Sequence, residues 1–428
     1  MPLRYSLCIP ASAMRTLVCM LVVWTVAPIS VRAAEATPDS GDQASPALMA
    51  YAQQVLKQHP RVLSAQSEVD AARARERAAG RAIYNPELDA EYEDGEARTR
   101  SVGINQTIDL GGKRGARERA ASFEVQSAME SLTLVRQGML ADLLSALGGY
   151  DAAAERLRAA DERKALMARL RTLATERRQA GDLNQIDLDL AHLAFAEAAL
   201  QRAQAAGQQV TAQQALERVS GAVAPRLPSL PSNYVAVTLD ESEISGILQQ
   251  LPSVRVAQAR IATAQAVVDL RRRERRPDPT VGFYGGKEGD DDLIGLRFSI
   301  PLPVRNSYRA EVDAADADRL ALDQSTLNDY RQLRAELVAT VQRYTLSRDA
   351  WDEWQQIGAG SLERQTSVLE RLWRAGELST AEYLVQLKQT VDTRVAAIEQ
   401  RGTLWEAWVA WLAVSGQVDD WLSVGDGR

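Results

Sequence analysis

The sequence predicts a mainly α-helical fold with added transmembrane β-strands, in which one order of elements occurs twice. The segment that begins at His59 is matched by one that begins at Leu251, and the turn AGDL around Gly181 is matched by AGEL around Gly376. These matches lie roughly 192 to 195 positions apart, which indicates a tandem duplication. Each half is expected to run from a helix through two short strands into a long helical hairpin.

The first 33 residues are typical of a cleaved secretory signal. Their apolar run, Leu17–Val31, is too short and too polar at its flanks for a transmembrane anchor. Both cysteines, Cys8 and Cys19, fall in this leader, so the mature chain has no thiol for oxidation, metal binding or nucleophilic attack. The sequence therefore predicts export.

Proline positions divide the rest of the chain. No proline occurs between Pro86 and Pro225 or after Pro303, and both tracts are rich in residues that favour long helices. In the first tract one helix is expected to end near Tyr150, with the chain returning from about Asp161. The expected segments are a signal peptide (1–33), a first repeat (34–224, with strands at about 86–95 and 100–110 and a helical hairpin at about 113–220), a proline-rich equatorial linker (225–245), a second repeat (246–417, with strands at about 279–287 and 293–302 and a helical hairpin at about 306–416) and a C-terminal tail (418–428).

The segments between the helices alternate between polar and apolar residues, as strands with two different faces do. About eight to ten residues per strand fit a tilted membrane-crossing strand, although a soluble hairpin packed on helices would alternate in the same way. Because four strands cannot close a barrel and a sheet edge cannot stay open in lipid, several copies would have to share one barrel. One face of the first strand is wholly acidic and comprises Glu87, Asp89, Glu91 and Glu93.

Short motifs mark the ends of the predicted strands. Asn85-Pro86-Glu87 opens the first strand, LGGKR follows the second at Leu110–Arg114, and IPLPVRN ends the fourth at Ile300–Asn306. With the duplicated halves and the AGDL and AGEL turns, these motifs resemble the TolC-type outer membrane efflux proteins. LGGKR and PLP most resemble the CzcC-type heavy-metal efflux branch. The resemblance covers about Ala47 to Gln417, nearly the whole mature chain.

The resemblance implies both an assembly and a function. It implies a homotrimer whose protomers each give four strands to one shared β-barrel in the outer membrane of a Gram-negative bacterium, while the helical hairpins form an α-barrel across the periplasm. The implied partners are outer membrane lipids, a periplasmic adaptor (membrane fusion protein) and an inner-membrane resistance-nodulation-division pump. The implied function is the exit duct for heavy-metal cations. Ducts for drugs or for type I secretion are alternatives, and an exported helical periplasmic adaptor is a more distant one.

The residue content does not favour catalysis. The mature chain has two histidines, His59 and His192, far apart in sequence, with no cysteine and no phosphate-binding or nucleophile motif. We therefore expect a protein that is not an enzyme, with no cofactor, no metal-ligand site and no nucleic-acid partner.

Two charged groups are candidates for the control of ion flow. If the acidic face of the first strand lines a pore, symmetry repeats it around the axis and favours cations; alternatively, it only keeps the wet face of the strand hydrated. A periplasmic gate is expected where the second helical hairpin turns, near Tyr344–Trp354, with a charged surface turn as the alternative. The candidate gate combines Asp349, Asp352 and Glu353 with Arg343 and Arg348.

Glycines and prolines are expected to shape the turns. Gly111, Gly112, Pro301 and Pro303 lie where strands lead into helices, and Gly181 and Gly376 end helices. By the family resemblance, the Gly181 and Gly376 turns belong to an equatorial belt, together with the chain termini and the linker.

Two further groups carry weaker expectations. The basic residues after the strands, which begin with Lys113, either meet anionic lipid head groups or start a solvated helix. Trp405, Trp408 and Trp411 recur every three residues and are expected to pack rather than to bind a ligand.

Overall fold

The computed structural model describes residues 44–95 and 98–422, apart from the side chains of residues 363 and 366. The predicted signal peptide and residues 423–428 of the predicted tail lie outside these residues. The elements in chain order are α1 (Pro46–Gln58), α2 (Pro60–Ala79), β1 (Glu87–Asp94), β2 (Arg98–Thr107), α3 (Lys113–Ala180), α4 (Gln185–Ser220), α5 (Glu241–Gln250), α6 (Pro252–Glu274), β3 (Thr280–Glu288), β4 (Asp291–Ser299), α7 (Arg309–Glu353), α8 (Ala359–Arg374), α9 (Thr380–Ser415) and α10 (Val418–Trp421).

Each half of the chain repeats one order of elements. The first half comprises α1 to α4 with β1 and β2, and the second comprises α5 to α9 with β3 and β4. In the second half a π-helical turn, Trp354–Gly358, joins α7 to α8 without a break. The mainly helical fold with two β-hairpins is therefore confirmed. Among the described residues, no helix is both long and apolar enough to cross a membrane.

The first long helix continues through its predicted turn. α3 runs for 68 residues, about 100 Å, and passes straight through the stretch from Tyr150 to Asp161. This stretch contains alanine, leucine, glutamate and arginine but no glycine or proline that would end a helix. The turn expected there is wrong: α3 ends at Gly181, and α4 returns from Gln185.

Gly181 and Gly376 end the two long helical segments. Both have left-handed backbone angles, with φ values of 84° and 79°, which glycine adopts at little cost. The side chain of Asn184 caps α4, and Ser379 caps α9 in a capping box with Glu382. Since α3 and α7 begin next to the sheet, these two turns lie at the ends of the helical hairpins farthest from it.

The main hydrophobic core lies midway along α3 and midway along the continuous segment from α7 to α8. There the Trp405 indole donates a hydrogen bond to the Leu144 carbonyl (2.8 Å), and the Ala44 backbone N–H donates to the Trp421 carbonyl (3.1 Å). Hydrophobic side chains of the linker pack on the same core. The tryptophans expected to pack are all buried here, namely Trp405, Trp408 and Trp411.

The equatorial belt consists of this core, the linker and the two ends of the described chain. Leu144 precedes Gly181 by 37 positions on α3, which is about 55 Å along the helix axis. The prediction that places the Gly181 and Gly376 turns in the belt is therefore wrong, because α3 and the α7–α8 segment continue well past the core.

Candidate functional site

The sheet presents one polar and one apolar face. Its strands are antiparallel in the order β1-β2-β3-β4, and the register has no bulge, so directly paired residues share a face. The apolar face carries large side chains that are 43% to 80% exposed: Leu88, Tyr92, Val102, Ile104, Val281, Phe283, Ile294, Leu296 and Phe298. The charged residues of the polar face are Glu87, Asp89, Glu91, Glu93, Glu288, Asp291 and Arg297.

Arg297 on β4 reaches across the polar face to β1. Its Nη1 lies 3.2 Å from Oδ2 of Asp89, and its Nη2 lies 4.0 Å from Oε2 of Glu91. On β2, the Asn105 side-chain amide donates to Oδ1 of Asp89 (2.8 Å), and the Arg297 guanidinium lies 5.4 Å from the ring centre of Tyr284 on β3. Every strand thus contributes to one group, called below the Arg297 cluster: Asp89, Glu91, Asn105, Tyr284 and Arg297.

Glycines leave room for this cluster. The first and fourth strands of a sheet lie about 14 Å apart, so a side chain that bridges them must lie low over the strands between. Three side chains of the cluster each lie over a glycine of a neighbouring strand, where an added Cβ would overlap them: Gly103 lies beneath Asp89, Gly282 beneath Asn105, and Gly295 beneath the Tyr284 ring.

A buried ion pair joins the two repeats where strands meet helices. Lys113 Nζ lies 2.8 Å from Oδ2 of Asp278, and these side chains are only 12% and 4% exposed. The Tyr84 hydroxyl donates to the same oxygen (2.8 Å); burial, together with this hydrogen bond, raises the pKa of Tyr84 to about 12. Lys113 is therefore neither a solvated residue nor free to meet lipid head groups. Both expectations for it are wrong, because its partner lies 165 positions away in the sequence.

Asp109 sets the start of α3. The backbone N–H groups of Lys113 and Arg114 donate to its two carboxylate oxygens, each at 2.9 Å. Burial alone would raise the pKa of Asp109, but these backbone hydrogen bonds outweigh it and hold the pKa below the ordinary carboxyl value. Gly112 lies between Asp109 and the first residue of α3, and its backbone is left-handed, with a φ of 67°. The aspartate before LGGKR thus acts as a helix cap that the sequence analysis did not identify.

The other exit residues lie in irregular backbone. The Gly111 carbonyl accepts a hydrogen bond from Arg273 of the second repeat (3.1 Å). β4 ends at Ser299, earlier than predicted, because Pro301 and Pro303 have no N–H for strand pairing.

The candidate gate residues do not lie at a hairpin tip. Tyr344–Trp354 falls within α7 and the start of the π-helical turn, so the predicted tip position is wrong; the true tip is the turn at Gly376. Helix-forming residues and charge pairs along one helix surface support a continuous helix there. Arg348 pairs with Asp349 (2.9 Å) and with Asp352 (3.6 Å), Arg343 donates to Thr340 Oγ1 (3.1 Å), and Glu353 is exposed.

The two hairpin tips lie side by side within the described chain. Arg177, near the end of α3, donates to the Arg374 carbonyl near the end of α8 (3.2 Å). Its guanidinium also lies 5.3 Å from the ring centre of Trp373, which stacks on Tyr383 at 5.0 Å. The AGDL and AGEL turns therefore form one joint surface.

Sequence reasoning missed Arg297 and Asp278. The signal for Arg297 was present, since it is a single cation on the face that otherwise carries acids. Asp278 lies between Pro277 and Pro279, which indicate only the start of a strand and give no sign of an ion pair. Across residues 44–95 and 98–422, no group of three or more His, Cys, Asp or Glu side chains is arranged to hold a metal ion.

Comparisons with known proteins identify related chains. A family model described as "Outer membrane efflux protein" matches residues 51–222. The chain is 27% identical over 350 residues to the cobalt-zinc-cadmium resistance protein CzcC of Cupriavidus metallidurans, and the aligned region covers 79% of each chain. It is 29% identical over 328 residues to the nickel-cobalt-cadmium resistance protein NccC of Alcaligenes xylosoxydans xylosoxydans, and the aligned region covers 71% of this chain and 69% of NccC.

The fold is similar to that of solved channel proteins. A crystal structure of CusC, described as forming a transmembrane channel, superposes with a TM-score of 0.75 at 16% identity over 89% of this chain and 95% of CusC. The outer-membrane channel OprN superposes with a TM-score of 0.74 at 17% identity over 87% of this chain and 90% of OprN. These likenesses confirm the fold class, in which long helical hairpins adjoin a sheet made of two β-hairpins.

Proposed function

We propose, because this chain belongs to the outer membrane efflux protein family, that it is the exit duct of a tripartite system that exports heavy-metal cations. The protein lies in the outer membrane and acts as an efflux channel rather than as an enzyme. The single observation that carries the metal assignment is the charge of the polar face, where six carboxylates accompany one guanidinium. The names of CzcC and NccC, which are metal-resistance proteins, support the same substrate class.

The two faces of the sheet set the orientation of the proposed duct. An apolar face with exposed leucine, isoleucine and phenylalanine suits lipid, and a face of carboxylates suits a water-filled lumen. Both hairpin loops lie at one end of the sheet, while all four connections to helices leave from the other end. In this orientation the loops face the exterior, and the helices with their joint AGDL and AGEL surface extend into the periplasm.

The open edges of the sheet require more than one copy. β1 and β4 are the edge strands, and in lipid their unpaired backbone groups would each cost several kcal/mol. The smallest membrane barrels have about eight strands, so one protomer cannot close a barrel. A homotrimer in which β4 of one protomer pairs with β1 of the next leaves no edge open. An adaptor at the hairpin tips and an inner-membrane pump complete the proposed system.

The lumen hypothesis is tested by neutralising the acidic strand. The variant with Glu87→Gln, Asp89→Asn, Glu91→Gln and Glu93→Gln should form the same trimer in detergent but show a cation-over-anion permeability ratio lowered several-fold in planar bilayers. Unchanged selectivity would leave these carboxylates as hydration of a wet face. A water-soluble monomer from the wild-type chain would refute the channel itself.

The substrate assignment needs a separate test. The gene is expressed with a cognate pump and adaptor in a Gram-negative host that lacks its own outer membrane efflux channels. We expect increased resistance to divalent cobalt, zinc, cadmium or nickel and no change in resistance to hydrophobic drugs. Drug resistance without metal resistance would assign the duct to drug efflux.

A further inference from the structure

We infer that Arg297 is a charge-selectivity residue of the pore, and that it acts by partly neutralising Asp89 and Glu91 at one level of the lumen. This inference rests on the proposed channel function, because it needs the polar face to line a conducting barrel. It goes beyond that function because it names the Arg297 guanidinium, and not the four carboxylates of β1, as the group that limits how strongly the channel prefers cations over anions.

The charge balance at this level is small and therefore sensitive to single substitutions. Asp89 and Glu91 contribute two negative charges, and Arg297 contributes one positive charge within 3.2 Å and 4.0 Å of them. In the wild-type protein the level carries a net charge of −1 per protomer. Loss of Arg297 makes it −2, whereas loss of both carboxylates makes it +1. A trimer repeats each of these charges around the axis.

The position of Arg297 is built into the fold and does not depend on one flexible contact. The guanidinium is held at its face by the Tyr284 ring and at its edge by two carboxylates, and Asn105 fixes the nearer carboxylate from the other side. The glycines beneath these side chains keep the arrangement low on the sheet. Arg297 is about half exposed, so its charge stays in contact with the water of the proposed lumen.

The other carboxylates of the strand provide a matched control. Glu93 lies on the same face of β1 as Asp89, but it pairs in register with Thr99 near the hairpin loop, and it forms no ion pair with any described residue. Glu93→Gln removes the same unit of charge as Asp89→Asn without releasing Arg297. A comparison of the two variants therefore separates the pairing of Arg297 from the total charge of the pore.

The experiment measures reversal potentials of purified trimers in planar bilayers under a potassium chloride gradient at low ionic strength, where the screening length is about 10 Å or more. One unit charge in water about 7 Å from the ion path changes the local ion concentration about threefold. Because the same charge shifts cations and anions in opposite directions, Arg297→Gln should raise the cation-over-anion permeability ratio several-fold, and Asp89→Asn should lower it several-fold. Asp89→Asn with Glu91→Gln should lower it further, towards anion preference, and Glu93→Gln should change it less than Asp89→Asn does.

Arg297→Lys separates charge from structure. It keeps the positive charge but loses the planar contact with the carboxylates and the ring, so it should retain the wild-type permeability ratio if charge is what matters. Native mass in detergent is measured for every variant, because a variant that does not form the trimer reports on folding. If trimeric, conducting Arg297→Gln and Arg297→Lys channels give the same ratio as the wild type, the inference is wrong while the channel function stands. If the wild-type trimer does not conduct, the proposed function fails first.

Discussion

The strand-to-helix junction and the C-terminal end of α7 both contain arranged charges, but the two regions use them differently. At the junction, Lys113 and Asp278 are almost completely buried and join the two repeats. On α7, Arg348 contacts Asp349 and Asp352 along a single helix, and both carboxylates are more than half exposed. Burial, and not the number of contacts, makes the ion pair at the junction energetically different from the two ion pairs of Arg348.

The difference shows which charges hold the fold together. A buried carboxylate that loses its partner keeps the full cost of its lost hydration, whereas an exposed one is solvated by water at once. Asp278 already has one oxygen that is buried without a hydrogen-bond partner among the described residues. The junction is therefore the place where a single substitution should destabilise the fold most.

The largest effect is expected from Lys113→Ala. This change leaves Asp278 buried with only the Tyr84 hydroxyl as donor, and we expect a loss of about 3–5 kcal/mol of stability. The measurement is the thermal unfolding midpoint of the purified protein in detergent. The paired replacement of Lys113 by Met and Asp278 by Leu should recover most of the loss, because it removes both charges together. A small loss for Lys113→Ala alone would mean that water reaches Asp278.

The sequence predicted the strands far better than the helix ends. Each strand faces two different environments, so its alternation is visible in the residues from Glu87 to Glu93 without knowledge of any partner. The end of a long helix leaves a weaker trace, because no alternation of residues marks it; the stretch after Tyr150, where a turn is expected, has no glycine or proline that would end a helix. Gly181 and Gly376 mark the true tips; the sequence analysis predicts that both end helices, but it does not predict that these helix ends are the tips.

The partners of the charged residues were not predictable in the same way. Lys113 and Asp278 lie in different repeats, and their contact depends on how the two β-hairpins pair along β2 and β3. Arg297 meets Asp89 across two intervening strands, where glycines leave room for the side chains of the cluster. Such contacts follow from strand register and from the absence of side chains, which a single sequence does not reveal.

An intermediate effect is expected at the hairpin tip. Gly376→Ala puts a Cβ on a residue with φ of 79°, where no neighbouring atom lies within 4 Å, so the cost is purely conformational and amounts to about 1–2 kcal/mol. Gly138→Ala, on an exposed position inside α3 with equally open space, should instead stabilise by about 0.5–1 kcal/mol. Opposite shifts of the thermal midpoint for these two variants would support the assignment of Gly376 as a turn. Equal shifts would contradict it.

The smallest effect is expected at the C-terminal end of α7, for the double variant Asp349→Ala and Asp352→Ala. Exposed ion pairs contribute about 0–1 kcal/mol, so stability should change little. Single-channel conductance should not change either, since these residues lie inside a helix more than 20 positions before the turn at Gly376. Altered conductance would mean that the pore narrows at the equatorial belt instead of at the hairpin tips. Asp349 and Asp352 would then be gate residues after all, but they would act beside the buried core and not at the end of a hairpin.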